Sequence, residues 1–184
     1  IAQLDAEQGY LFQSLLRPHP SLTQFGPVVS TVRAIVIIEN GRPQLLHTVW
    51  KLPAGRNHAD NFWREGNLLG AVNSATGAVE RMVKGVGPWQ QSVTEHPDTK
   101  APIVGTQLPN WQRLVDLCLD CAGIFSQIRY QSWDIALCPD GPVIVEVNTG
   151  SAFNLSQLAK GEGFLTDQFG AFLSRCGYKL KQPH

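Results

Sequence analysis

The stretch WDIALCPDGPVIVEVNTG, residues 133–150, sets three oxygen-bearing side chains, Asp134, Glu146 and Asn148, inside two apolar runs joined by the turn Cys138-Pro139-Asp140-Gly141-Pro142. Apolar runs on either side of a Pro/Gly-rich turn predict two antiparallel strands. Side chains alternate faces along a strand, so Glu146 and Asn148 share one face and Val143, Val145 and Val147 take the other. A turn centred on Asp140 pairs Leu137 with Val143 and puts Asp134 opposite Glu146. Directly opposed residues have Cβ atoms roughly 4.5–5.5 Å apart, and like charges there weaken a sheet. A cation between them removes the penalty. Two carboxylates and an amide oxygen are hard ligands of the kind Mg²⁺ takes together with water and substrate phosphates. Solvated residues on the outer face of a hairpin meet the same spacing. The apolar setting of the carboxylates, against an openly polar turn, favours a site.

Upstream, Asn40-Gly41 separates STVRAIVII (30–38) from PQLLHTVW (43–50). Asn-Gly supplies the two positive-φ positions of a tight hairpin. NLLGAVNSATGAVERMV (67–83) reads as a second hairpin turning at Asn73–Gly77. Between them, KLPAGRNHADNFWREG (51–66) follows neither helical nor strand period, and a loop that long is more often functional than idle. The run YLFQSLL (10–16) fits a short strand before the turn-rich RPHPSLTQFGP, and residues 84–107 are punctuated by Gly and Pro and predicted irregular. Asn110 is the expected N-cap of a helix whose Trp111, Leu114, Val115, Cys118, Cys121, Ala122 and Phe125 recur at helical spacing. A last helix starts near Thr166, buries Phe169, Phe172, Leu173 and Cys176, and stops at Gly177. The class is α+β: an antiparallel β-sheet with flanking helices, expected on one face.

With 43% hydrophobic residues in 184, the chain can bury one core but not two ordinary ones, so a single domain over residues 1–184 is expected. Fifteen basic residues balance fifteen acidic ones, which argues against nucleic acid and against a membrane surface as partners. Neither a long apolar run nor a signal peptide is visible, so a soluble cytoplasmic protein with reduced cysteines is expected. The chain opens on Ile1 and enters directly into IAQLDAEQGYLFQSLL, as a piece of something longer would.

The Asp, the PDG-type turn and the Glu-x-Asn-x-Gly motif resemble the metal-binding end of the ATP-grasp fold, and WDIALCPDGPVIVEVN resembles the sugar-transfer-associated ATP-grasp family in particular. LFQSLLRPHPSL is similar to the segment after the adenine-contacting hinge, STVRAIVII to a strand with a Thr-x-Arg signature, and ADNFWREGNLLGAVNSATGAV to an Asp-Asn-Phe loop, strand and Thr-Gly turn. EHPDT and GTQLPNW match the entry to the long helix. The likeness runs in register over about residues 9–155. It implies ATP and Mg²⁺ as cofactors, with Asp134, Glu146 and Asn148 as metal ligands. The implied reaction is a carboxylate–amine ligation through an acyl phosphate, with small-molecule carboxylate and amine substrates. The rival is a non-catalytic binding module partnered with a sugar-transfer enzyme, and a second rival is a metal-dependent hydrolase that does not use ATP. A complete ATP-grasp site also draws on an N-terminal subdomain with a phosphate-binding lysine and a Gly-rich loop. The resemblance therefore covers the C-terminal part of the domain, expected to be weak or inactive alone.

Arg33 shares a strand face with Ile35 and Ile37, and a buried guanidinium without an anion is costly. By resemblance it is the catalytic cation at the ATP phosphates or the acyl phosphate; an edge arginine reaching for water is the alternative. The family pattern points to Asp60 and Asn61 in the long loop as nucleotide-binding residues, with Lys51 beside them and the backbone around Gln13 at the adenine. Arg56, His58, Arg64 and Asn67 crowd the same region, and Glu65 stands where two glycines are usual. Cys118-x-x-Cys121 is half a zinc motif, but both residues lie in the apolar helical stripe with no second pair, so core packing is expected. His19, His47 and His96 are scattered and carry no catalytic expectation.

Overall fold

The computed structural model describes residues 12–179. Its elements are Thr31–Glu39 (β1), Arg42–Leu52 (β2), Leu68–Val72 (β3), Val79–Lys84 (β4), Gln91–Ser92 (β5), Trp111–Ile124 (α1), Tyr130–Cys138 (β6), Gly141–Asn148 (β7), Asn154–Lys160 (α2) and Asp167–Arg175 (α3). The strands form one seven-stranded sheet in the order β5-β4-β3-β2-β1-β6-β7. Every neighbouring pair is antiparallel. The class is α+β, as the hairpin spacing predicts.

Local chemistry explains the framework. Asn40 and Gly41 both take positive φ, 51° and 74°, and close the β1–β2 hairpin where Asn-Gly places it. The second hairpin turns at Asn73–Gly77. There Gly77 has φ 80°, and a Cβ would come within 2.5 Å of the Trp111 ring. Only glycine lets the turn lie on the first residue of α1.

The two faces of β1 separate the cores. Val32, Ala34, Val36 and Ile38 join Trp111, Leu114, Cys118 and Ala122 of α1 on one side. Ile35 and Ile37 pack with Phe164, Phe169 and Phe172 of the α3 region on the other, where α2 also covers Val49, Leu69 and Ala71. Helices thus lie on both faces, not one. The helix α2, which the sequence pattern did not suggest, makes the difference.

Several local expectations are corrected. Among the described residues, 12–16 form no strand; residues 10 and 11 lie outside them. Asn110 sits at the start of α1 in the left-handed region and makes no side-chain cap, whereas Thr166 caps α3 by accepting from Phe169 N. Lys51 belongs to β2, so the long loop is shorter than predicted. A bulge shifts the β6–β7 register, so Leu137 faces Pro142 and Val143 faces Ala136, while Asp134 still faces Glu146. One extra residue on β7 flips the alternation, so Val143 leaves the face of Val147 and joins the face of Glu146. Cys118 is fully buried and free, and burial pushes its thiol up to about 12, as a core residue and not a metal ligand.

Candidate active site

Residue alternation brings the charged groups to one end of one sheet face. Arg33, Lys51 and Asp134 project from β1, β2 and β6 on the side that carries Ile35, beyond the reach of α3. Arg33 lies opposite Asp134 in the ladder, and Asp134 opposite Glu146. Arg33 Nε and Nη2 donate to the two Asp134 oxygens at 2.8 and 2.6 Å. Lys51 Nζ donates to Asp134 Oδ2 at 3.0 Å and lies 3.7 Å from Asp60 Oδ1. Arg33 Nη2 also comes within 3.8 Å of Glu146 Oε1, which accepts from Asn148 Nδ2 at 3.0 Å. The arginine is therefore not snorkelling at a sheet edge: it is the hub of a partly buried network on a central strand.

The loop delivers Asp60 by a hydrophobic anchor. Phe62 is buried against Val49, Leu69 and Ala71, which contributes about 2 kcal/mol. Asn67 then braces the loop from inside, accepting from Ala54 N at 3.0 Å and donating to the carbonyls of Ala59 and Asn61 at 2.8 and 2.7 Å. So held, Asp60 accepts from the Thr31 hydroxyl and faces Lys51. Thr31 carried no expectation of its own; the sole signal was its place in the Thr-x-Arg pair.

Electrostatics follow from burial and pairing. Burial alone would raise the Asp134 carboxyl, but the hydrogen-bonded Arg33 guanidinium and the Lys51 ammonium hold it below the usual carboxylate range. Burial would lower the Arg33 guanidinium, but Asp134, Glu146 and Asp60 more than offset it and raise it. Two cations face three carboxylates, Asp60, Asp134 and Glu146, so the cluster keeps an excess negative charge that favours a further cation.

Two carboxylates and an amide oxygen are hard donors of the kind magnesium takes. The carboxylates of Asp134 and Glu146 are directly opposed, and the amide of Asn148 is bonded to Glu146. Both Asp134 oxygens are engaged by Arg33 and Lys51, so an ion here shares Asp134 with them. Among the described residues no group of three His, Cys, Asp or Glu side chains could hold a metal, so Asp134 and Glu146 would need a further donor such as the Asn148 amide oxygen.

Not every expected residue converges. Asn61 is exposed and spends its side chain locally, accepting from Trp63 N at 3.1 Å. Gln13 is exposed and is not among the residues lining the neighbouring cleft. That cleft, of about 680 Å³, is mostly apolar and is bounded by Leu15, Leu16, Arg17, Val28, Val29 and His58. It adjoins both the segment entering β1 and the loop that carries Asp60. No helix among the described residues is long and apolar enough to cross a membrane.

A family model described as sugar-transfer-associated ATP-grasp matches residues 2–170 of the 184-residue chain. No curated protein and no solved structure gives a significant match.

Proposed function

Because the chain belongs to the sugar-transfer-associated ATP-grasp family, we propose that the cluster around Arg33 binds ATP with Mg²⁺ and activates a carboxylate for ligation. The observation that supports this best is the meeting of Arg33, Lys51, Asp134, Glu146 and Asn148 at one end of one sheet face, next to an apolar cleft large enough for a nucleoside.

In this reading the base lies in the cleft between Leu16, Val28 and His58, and the phosphates run toward β1 and β2. Lys51 and Arg33 supply fixed positive charge to the phosphate oxygens, and Asp134 holds both cations in place before substrate arrives. Asp134, Glu146 and Asn148 hold Mg²⁺, which when bound neutralises charge on the phosphate oxygens. Asp60, drawn in by Lys51 and Thr31, keeps the loop closed against water. A substrate carboxylate oxygen attacks the γ-phosphorus and ADP leaves. An amine nitrogen then attacks the acyl carbon, expelling phosphate and losing a proton. No protein nucleophile is required.

A second reading, a binding module serving a sugar-transfer system, is favoured by one feature: Asp134 is already fully satisfied by Arg33 and Lys51. Isothermal titration with ATP, in the presence and absence of Mg²⁺, separates the two. The active-site reading expects ATP binding that strengthens with Mg²⁺. Absent or metal-indifferent binding supports the module.

A further inference from the structure

A second cleft, of about 530 Å³, lies at the same end of the sheet. Trp63, Arg64 and Glu65 from the loop form one wall; Lys84, Trp89 and Gln91 from the β4–β5 connection form the other. Of the five tryptophans, Trp50, Trp111 and Trp133 are at most 7% exposed, whereas Trp63 and Trp89 are 53% and 75% exposed. The two exposed indoles share one cleft. Among the described residues the side chains of Arg64, Glu65, Lys84 and Gln91 make no hydrogen bond or ion pair.

Both walls are built rather than loose. Phe62 anchors the chain beside Trp63, and Arg64 N donates to Asn61 O at 3.0 Å. Opposite, Gln90 Nε2 donates to Leu158 O at 2.9 Å and ties the turn to α2. Gly85, at φ 73°, lets that turn fold back: a Cβ there would collide with the Trp89 carbonyl.

We propose that this cleft binds a saccharide ring and supplies the substrate class of the neighbouring site. A pyranose presents an apolar C–H face and a rim of hydroxyls that both donate and accept. An indole supplies the matching flat apolar surface. Arg64 and Lys84 donate, Glu65 accepts and Gln91 does both, which suits hydroxyls. A polyanion would call for cations without the carboxylate. Lys84 pairs with Leu68 and Leu68 with Leu52, the residue after Lys51, so the β4 wall stands two strand spacings, roughly 10 Å, across the sheet from the strand end that carries Lys51, whose side chain takes the other face. A sugar held here reaches that centre through its substituents. Its role as substrate rests on the nucleotide reading; its binding does not.

Saturation-transfer NMR on the purified chain tests this, with the methyl glycosides of glucose, galactose, N-acetylglucosamine and glucuronic acid as probes and AMP as competitor. At least one glycoside binds in the range of about 1–10 mM, as expected of a few contacts on a single ring. Transfer is strongest at its ring C–H protons. Trp63→Ala and Trp89→Ala each weaken binding about fivefold or more. Tyr178→Ala, at another exposed aromatic, does not. Sugar binding is read in the absence of ATP and Mg²⁺, so a failure of the nucleotide reading, seen in the ATP titration, shows separately. Binding by none of the four probes, displacement of the sugar by AMP, or indifference to both tryptophan changes overturns the proposal.

Discussion

Arg33 and Asp134 face each other across β1 and β6, and the guanidinium grips both carboxylate oxygens at 2.8 and 2.6 Å. A bidentate pair on two central strands fixes a positive charge at a defined point, and it also makes each partner costly to lose alone.

Asp134→Leu therefore leaves Arg33 and Lys51 uncompensated and costs about 3–5 kcal/mol of folding stability. Adding Arg33→Met recovers at least about 1 kcal/mol, because the second change removes the stranded charge. Urea denaturation of the two variants measures the difference. Additive losses would mean that the pair is not coupled.

The loop is held by Asp60 at Thr31 and Lys51. Thr31→Val removes one tether without emptying the core, so overall stability falls by only about 1 kcal/mol. Trypsin cleavage after Arg56 and Arg64 accelerates by about tenfold as local opening becomes easier. Cleavage at the wild-type rate would show that Phe62 and Asn67 suffice.

His47 is buried beside Phe164, and its imidazole is lowered to about 4, first by burial and then by Lys160; the nearby Thr48 backbone opposes this without making a hydrogen bond. The unfolded chain takes up a proton near pH 6.5 and the folded chain does not until about 4. Stability is thus full above about pH 6.5 and falls by up to about 3 kcal/mol as pH drops toward 4. His47→Gln flattens this slope in denaturation midpoints taken between roughly pH 7.5 and 4.5. Asp134 acts with the same sign in a more acid window: its lowered carboxyl contributes in full above the usual value near 3.9, and that contribution is lost as pH falls from there through the lower folded value. An unchanged slope in His47→Gln would assign the pH dependence to other groups.

Gly77→Ala drives a Cβ to 2.5 Å from the Trp111 ring at a backbone φ of 80°. The combined strain costs at least about 2 kcal/mol. Near-ultraviolet circular dichroism and thermal unfolding report it, and a neutral substitution would mean that α1 shifts freely against the turn.

The hairpins were legible because their signals are local. Asn40-Gly41 dictates its own turn, and the Pro/Gly turn at 139–142 marks the β6–β7 hairpin, although spacing from the observed turn would put Asp134 opposite Val145 and it is the bulge that restores Glu146. The bulge at Val145 was not legible, since one inserted residue changes register without changing composition. Asn61 and Asp60 are sequence neighbours of equal promise, yet only Asp60 points to Lys51, because the backbone bends between them to bury Phe62. Asn110 has the right residue type for a cap, but its left-handed conformation withholds its side chain. The helix α2 was missed because Asn154–Lys160 is short and packs only Leu155, Ser156 and Ala159 inward. The network around Arg33 joins residues a hundred positions apart, and its closure depends on sheet order, which no local pattern encodes.

Glu146 offers the most direct test of the account, because its side chain is half exposed and its replacement does not unbalance the core. Isothermal titration of Glu146→Gln with ATP, in the presence and absence of Mg²⁺, is the decisive comparison with the unaltered chain. The variant is expected to keep its stability and its weak metal-free binding at Lys51 and Arg33, while the gain conferred by Mg²⁺ falls by at least about tenfold. An undiminished magnesium effect in this variant would contradict the assignment of the metal to the face shared by Asp134, Glu146 and Asn148.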